Sequence, residues 1–213
     1  MRVTKLEHAC LIVTEGDAAL VIDPGNYTRP VDASGVVAVV ITHEHPDHIT
    51  SEQLRRILGT NPEAVVLGPP GVASALRAEV PDVAVDVIGD GALRTVGPFT
   101  LRFFGTKHER IHASVPLVDN TGVLINDRLF YPGDAYTNPG VPVDLLVCPV
   151  GAPWLKVGEM MDYVSSVAPA RSMPTHEGTL SAAGFDQATM RLAQATEPHG
   201  TAVIVRAGES ITV

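Results

Sequence analysis

The stretch Val36–His48 reads VVAVVITHEHPDH, an apolar run that empties into three histidines and an aspartate. Val36 to Thr42 shows no polar alternation, which is the pattern of a central strand buried on both faces. The run hands the chain directly to His43, so the polar cluster is expected at that strand's C-terminal end. Pro46 excludes a helix interior, and Asp47 stands where a helical His-Glu-x-x-His zinc motif needs its second histidine. On extended backbone, residues two apart point to the same side, so His43 and His45 can converge on one ion. A turn at Pro46 then swings Asp47 and His48 toward a second. Imidazole together with carboxylate suits Zn²⁺.

Working outward, RVTKL, ACLIVT and AALVIDPG before this stretch read as strands of a meander, each ended by turn residues. After it, TSEQLRRIL has a Thr50 or Ser51 cap and helical spacing. AVVLG follows as a strand, GVASALRAE as a helix, and VAVDVI, ALRTV and FTLRFFG as strands. From Val115 the order repeats loosely. TGVLIN, RLFYPGD and VDLLVCPV are strands, then a helix spans Val157 to Val167, ARSMPTH is a strand, a helix runs from Ser181 to about Ala195, and TAVIVR and ESITV close the chain. This succession predicts an α/β fold, two sheets face to face with helices outside. It is a four-layer αββα sandwich, one domain over 1–213 made of two similar halves.

Composition narrows the function. The chain has 213 residues, 45% of them hydrophobic and 18% charged, which describes a compact soluble protein. No apolar stretch approaches the roughly 18 residues of a membrane span. The start, MRVTKLEHAC, lacks the layout of a secretory signal, so the expected compartment is the cytoplasm. Cys10 and Cys148 each lie in an apolar run and read as buried free thiols. A net charge of -9 and the absence of Lys/Arg clusters argue against a nucleic-acid surface. The basic residues are 12 Arg to 3 Lys, the bias of a GC-rich bacterial genome. A small molecule is the expected partner, with oligomeric state left open.

Two ions need more ligands than one loop holds. His108 follows the strand FTLRFFG, Asp134 follows RLFYPG and His176 follows ARSMPT. Each therefore sits at a strand exit, at the same edge of the sandwich as His43, as a site built from loops on a rigid scaffold requires. Asp23 in IDPG reads equally as a turn cap or as support for a metal ligand. His8, at the start of an apolar strand, reads as a core or edge histidine, and His199 as a loop residue. Trp154 is the only tryptophan and follows a strand exit, so it walls a substrate pocket or packs.

In this order, IDPG, HEHPDH, a later histidine after a strand, GD in YPGDA and a last histidine in PTHEG resemble a metallo-β-lactamase-fold hydrolase over nearly the whole chain. KHERIHASVP with YPGD and GAPWLK is similar to the small bacterial branch near the L-ascorbate-6-phosphate lactonase-like proteins. The resemblance implies that His43, His45 and His108 hold a first metal, that Asp47, His48 and His176 hold a second, and that Asp134 bridges them. Flavodiiron-type oxidoreductases of this fold usually carry Glu in place of the second histidine, so His45 argues for hydrolysis. Glu109 departs from the small residue that relatives often carry after the third histidine.

The chemistry implied is that of two Zn²⁺ ions, with Mn²⁺ or Fe as substitutes, sharing a water whose pKa falls toward roughly 7. The bond cleaved would belong to a small-molecule ester, lactone or phosphodiester. Asp134 would set the metal separation, and Asp47 would bind a metal and exchange a proton. In KHERIH, His108 is assigned to the metal and His112 to substrate contact or support of the site. A helical turn there would bring both rings to one face. The contrasting reading is a non-catalytic metal-binding or partner-binding protein on the same scaffold, and its mark would be a missing ligand.

Overall fold

Each apolar run of the first third stops at a turn residue and becomes a strand: β1 (Arg2–Lys5), β2 (Leu11–Glu15), β3 (Ala18–Ile22) and β4 (Val36–Val40). The computed structural model describes residues 1–213. It continues through α1 (Ser51–Thr60), β5 (Val65–Gly68), α2 (Pro70–Glu79), β6 (Val85–Val87), β7 (Leu93–Val96) and β8 (Phe99–Phe104). The remaining elements are β9 (Gly122–Ile125), β10 (Leu129–Tyr131), β11 (Leu145–Pro149), α3 (Val157–Val167), β12 (Arg171–Thr175), α4 (Ala182–Thr196), β13 (Thr201–Ala202) and β14 (Ser210–Thr212). No helix is long and apolar enough to cross a membrane.

The strands form two mixed seven-stranded sheets, ordered β14-β1-β2-β3-β4-β5-β6 and β13-β12-β11-β10-β9-β8-β7. In the first, β14 to β3 pair antiparallel and β3 to β6 parallel. In the second, β7 to β10 pair antiparallel and β10 to β13 parallel. The chain changes sheet after β6, ahead of Val115, and β14 returns to the first sheet beside β1. TAVIVR contributes only Thr201–Ala202 to its sheet.

The inward faces of both sheets meet in one core that includes Leu20, Val40, Phe103 and Val147. Outside the first sheet, Leu54 and Ile57 of α1 and Val72 and Leu76 of α2 pack on Val39, Ile41 and Val66. Outside the second, Met160 and Val164 of α3 and Leu192 of α4 pack on Leu124, Leu146 and Cys148. This is the αββα order of layers. Burying each such side chain contributes about 1.5–3 kcal/mol, so stability resides in these layers rather than in the polar edge. Helix starts are set locally. The Thr50 and Ser181 hydroxyls accept from the Gln53 and Gly184 N–H groups, as N-caps do.

Strand direction decides what gathers at the edge. β1 and β3 both run antiparallel to β2, and β3 and β4 are parallel, so β1, β3 and β4 exit at one edge. In the second sheet β8, β10, β11 and β12 likewise run the same way. The segments after these seven strands carry the histidines and carboxylates that cluster at this edge.

Candidate metal centre

β4 ends in Thr42, and the turn that follows closes on itself when the His48 and Ile49 N–H groups donate to the His45 carbonyl. The IDPG turn after β3 braces this loop, with the Asn26 N–H donating to the Pro46 carbonyl at 2.8 Å. A Cβ at Gly25 would lie 1.9 Å from the Asp47 carbonyl oxygen, so only glycine allows the two turns to touch. Asp23 is fully buried. Its carboxylate accepts from the Thr42 N–H at 2.8 Å, the Thr42 hydroxyl at 2.7 Å and His48 Nδ1 at 2.7 Å. Asp23 therefore orients His48 and does not merely cap a turn.

The histidines and carboxylates expected at strand exits meet in one cluster. His43 Nε2 lies 3.1 Å from His45 Nδ1, and the rings of both stand edge-on to His108. Across the cluster, His48 Nε2 lies 3.2 Å from His176 Nε2, and Asp47 Oδ2 is 3.4 Å from His176 Nε2 and 3.9 Å from His48 Nε2. Asp134 lies between the two groups, with Oδ1 3.4 Å from His48 Nε2 and Oδ2 3.4 and 3.1 Å from the Nε2 atoms of His108 and His176. Four ligands about 2.1 Å from a tetrahedral ion stand about 3.4 Å apart, which is the spacing found here.

Two further observations show that these residues fit metal ions. His108 Nε2 and Asp134 Oδ1 are buried without a hydrogen-bond partner, an expensive state for a polar atom that nothing else satisfies. The ring nitrogens turned away from the cluster are held by acceptors. His48 Nδ1 faces Asp23, His176 Nδ1 faces the Gly151 carbonyl at 2.5 Å, and His108 Nδ1 faces the Glu109 carbonyl. His43 Nδ1 faces the Thr42 hydroxyl, whose own proton goes to Asp23. An acceptor at Nδ1 places the proton there and leaves the Nε2 lone pair free for a metal.

Without metal, the cluster holds its charge internally. Burial pushes the Asp134 carboxyl up, but His176 and His48 override it and keep it well below the usual range. Burial is likewise overridden at Asp47 by hydrogen bonds from His176 and His8. Burial would lower His48 and His176, yet Asp134 raises both, His176 to about 9. His43 is pushed well below its ordinary value by burial and then by His48. His45 and Asp47 are the only members of the ligand cluster that are partly open, so the centre meets solvent on their side.

Trp154 and His112 occupy different environments. Trp154 is 7% exposed, and its indole N–H donates to Asp134 Oδ2 at 2.8 Å. It stands behind the carboxylate, edge-on to His108 and Tyr136, rather than as an open pocket wall. His112 is exposed, outside the cluster, with Nδ1 bonded to Ser114. The helical turn that would align it with His108 does not form, because His108 pairs back to Val118 and the intervening segment loops outward. Glu109 donates its N–H to the Asp134 carbonyl and accepts from the Tyr136 N–H, so it fastens two loops together. His199 lies exposed in the turn after α4, and both cysteines are buried and free.

His8, expected as a satisfied core or edge histidine rather than a ligand, is buried with both ring nitrogens hydrogen-bonded, and the partner of its Nε2 lies in the centre. Its Nε2 lies 3.1 Å from Asp47 Oδ2, and its ring is 3.9 Å from that of His176. The signal was available: the turn after β1 opens at the same edge as the turns after β3 and β4.

A family profile described as "Beta-lactamase superfamily domain" matches residues 2–176. The chain belongs to that family. Among relatives of this β-lactamase superfamily chain, Protein Rv0786c of Mycobacterium tuberculosis is 37% identical over 187 residues, covering 85% of this chain and 86% of its own length. The UPF0173 metal-dependent hydrolase of Aeropyrum pernix is 26% identical over 209 residues, covering 84% and 83%. Two solved structures share the fold. Igni18, a metallo hydrolase from Ignicoccus hospitalis, has a TM-score of 0.73 at 16% identity, covering 99% of this chain and 97% of its own. CmlA, a diiron β-hydroxylase from Streptomyces venezuelae, has a TM-score of 0.74 at 17% identity, covering 100% and 54%. The superfamily member described here therefore has the metallo-β-lactamase fold, with its two mixed sheets flanked by helices.

Proposed function

We propose that this protein is a binuclear metal-dependent hydrolase acting in the cytoplasm on a small-molecule ester, lactone or phosphodiester. His43, His45 and His108 hold one ion, Asp47, His48 and His176 the other, and Asp134 lies between them as the shared ligand. The observation that carries the reading is the orientation of His43, His48, His108 and His176, each with Nδ1 held from behind and Nε2 turned to one space. The relative from Aeropyrum pernix, described as a metal-dependent hydrolase, supports it. Zinc is the metal these nitrogen and oxygen donors suit, with manganese or iron as substitutes.

When bound, the ions supply Lewis acidity and lower the pKa of a coordinated water toward roughly 7. The protein's own part is positional. Asp134, clamped by the Trp154 N–H and by its own N–H to the Asn120 side chain, fixes the spacing of the two ligand groups. Asp47, half-exposed and ionised, stands on the open side, where it can take up a proton from the attacking water and return it to the leaving oxygen. His45 in the second histidine position supports hydrolysis over oxidation chemistry.

Elemental analysis of the purified protein, together with a panel of chromogenic esters, lactones and phosphodiesters, tests the proposal. Two transition-metal ions per chain and metal-dependent turnover of one class are expected. Trace metal with no rebinding sinks the reading, and full metal with no turnover on any class returns the protein to a binding role.

A further inference from the structure

Four histidines of the centre, His43, His48, His108 and His176, have Nδ1 held by an acceptor and Nε2 turned to the shared space, and His8 does the reverse. The Gly178 N–H donates to His8 Nδ1 at 3.0 Å. A nitrogen that accepts a hydrogen bond carries no proton, so the proton of the neutral ring sits on Nε2, and Nε2 faces Asp47 Oδ2 at 3.1 Å. We propose that His8 is a positioning residue for Asp47, donating from Nε2 to its carboxylate and holding it in place for the second ion without binding that ion itself. This rests on the binuclear reading above.

The competing arrangement is direct ligation, because His8 lies with Asp47, His48 and His176 in a group whose ligand atoms are all within 4.8 Å of one another. Ligation through Nε2 would move the ring proton to Nδ1, against the Gly178 N–H. The backbone prevents the ring from escaping that conflict. His8 is left-handed, with φ 55°, and its carbonyl accepts from the His176 N–H at 3.1 Å, the Thr175 hydroxyl at 2.8 Å and Lys5 Nζ at 3.3 Å. Lys5, fully buried, also pairs with Glu177 at 2.6 Å, so the β1 turn is tied to the segment that carries both His176 and Gly178. A Cβ at Gly178 would lie 2.8 Å from His8 Nδ1, so the tautomer depends on a glycine there. Asp47 is partly exposed, and apart from His8 only His176, at 3.4 Å, and His48, at 3.9 Å, stand near its Oδ2. Both are assigned to the second ion, so His8 is the neighbour left to hold the carboxylate once that ion is bound.

Zn²⁺ titration of the full chain after chelator stripping, with a competing chromophoric chelator, tests the role in the wild type, His8→Gln, His8→Phe and Gly178→Ala. Glutamine places an amide N–H near Asp47 and an amide oxygen near the Gly178 N–H, so H8Q is expected to hold both ions as the wild type does. H8F fills the space without a donor, and G178A displaces the ring; each is expected to weaken one ion by about 10- to 100-fold and leave the other unchanged. Loss of an ion in H8Q equal to that in H8F means that His8 is a ligand and overturns the inference. Wild-type affinity in G178A, or in a folded H8F, also overturns it. Fewer than two ions in the wild type overturns the binuclear reading itself, and the positioning role with it.

Discussion

The Trp154 indole N–H donates to Asp134 Oδ2 at 2.8 Å, which makes the only tryptophan of the chain a clamp on the carboxylate between the two ligand groups. Phenylalanine at this position keeps most of the buried ring and removes the donor. Trp154→Phe is expected to lower metal affinity by about 10- to 100-fold with the fold retained. Competition against a chelator measures it, and unchanged affinity would reduce Trp154 to a packing residue.

Asp134 is within 3.4 Å of His48, His108 and His176, so its removal touches both groups at once. Asp134→Ala is expected to abolish hydrolysis and lower bound metal while circular dichroism stays native, because burial between the layers carries the stability. Near-wild-type turnover in this variant would show that the bridging role is wrong.

His108 and His112 should separate cleanly. His108→Ala removes a buried imidazole, the proposed ligand, whose Nε2 has no hydrogen-bond partner, and metal content should fall. His112→Ala changes an exposed loop residue whose side chain is bonded only to Ser114, so metal content should be unchanged and stability should stay within about 0.5 kcal/mol of wild type. Metal loss confined to the His112 variant would reverse the assignment.

Gly25→Ala tests the contact between the two turns. The added methyl overlaps the Asp47 carbonyl, which is backbone and cannot rotate away. A loss of at least about 1–3 kcal/mol in unfolding free energy is expected, together with weaker metal binding. A melting curve equal to wild type would mean that the IDPG turn moves freely.

Metal removal should lower the melting temperature, since an ion that binds only the folded chain adds about 2.7 kcal/mol at a hundredfold excess over its Kd. Calorimetry of stripped and reloaded protein measures this. No difference between the two would contradict a site that spans both sheets.

Much of the fold was legible because strands and helices are local. The apolar run Val36 to Thr42 read as a buried strand, a cap at Thr50 or Ser51, which the structure places at Thr50, started a helix after it, and Val157 to Val167 had the spacing of a buried helix face. Strand exits also pointed to the side chains that gather around HEHPDH, because one rigid edge presents every such turn together. The pairing of β14 with β1 was not legible, since ESITV reads as a strand in either sheet and only packing selects its neighbour.

Residue type and strand position marked His43, His45, Asp47, His48, His108, Asp134 and His176 before any coordinate was known. What each nitrogen does was decided by partners distant in sequence. His48 depends on Asp23, His176 on the Gly151 carbonyl, and His8 on the Gly178 N–H, 170 residues away. A histidine's tautomer follows from whether a donor or an acceptor stands behind its ring, and only the folded arrangement brings that group there. The same imidazole in the same kind of turn thereby has an acceptor behind it at His176, which leaves Nε2 the lone pair, and a donor behind it at His8, which leaves Nε2 the proton.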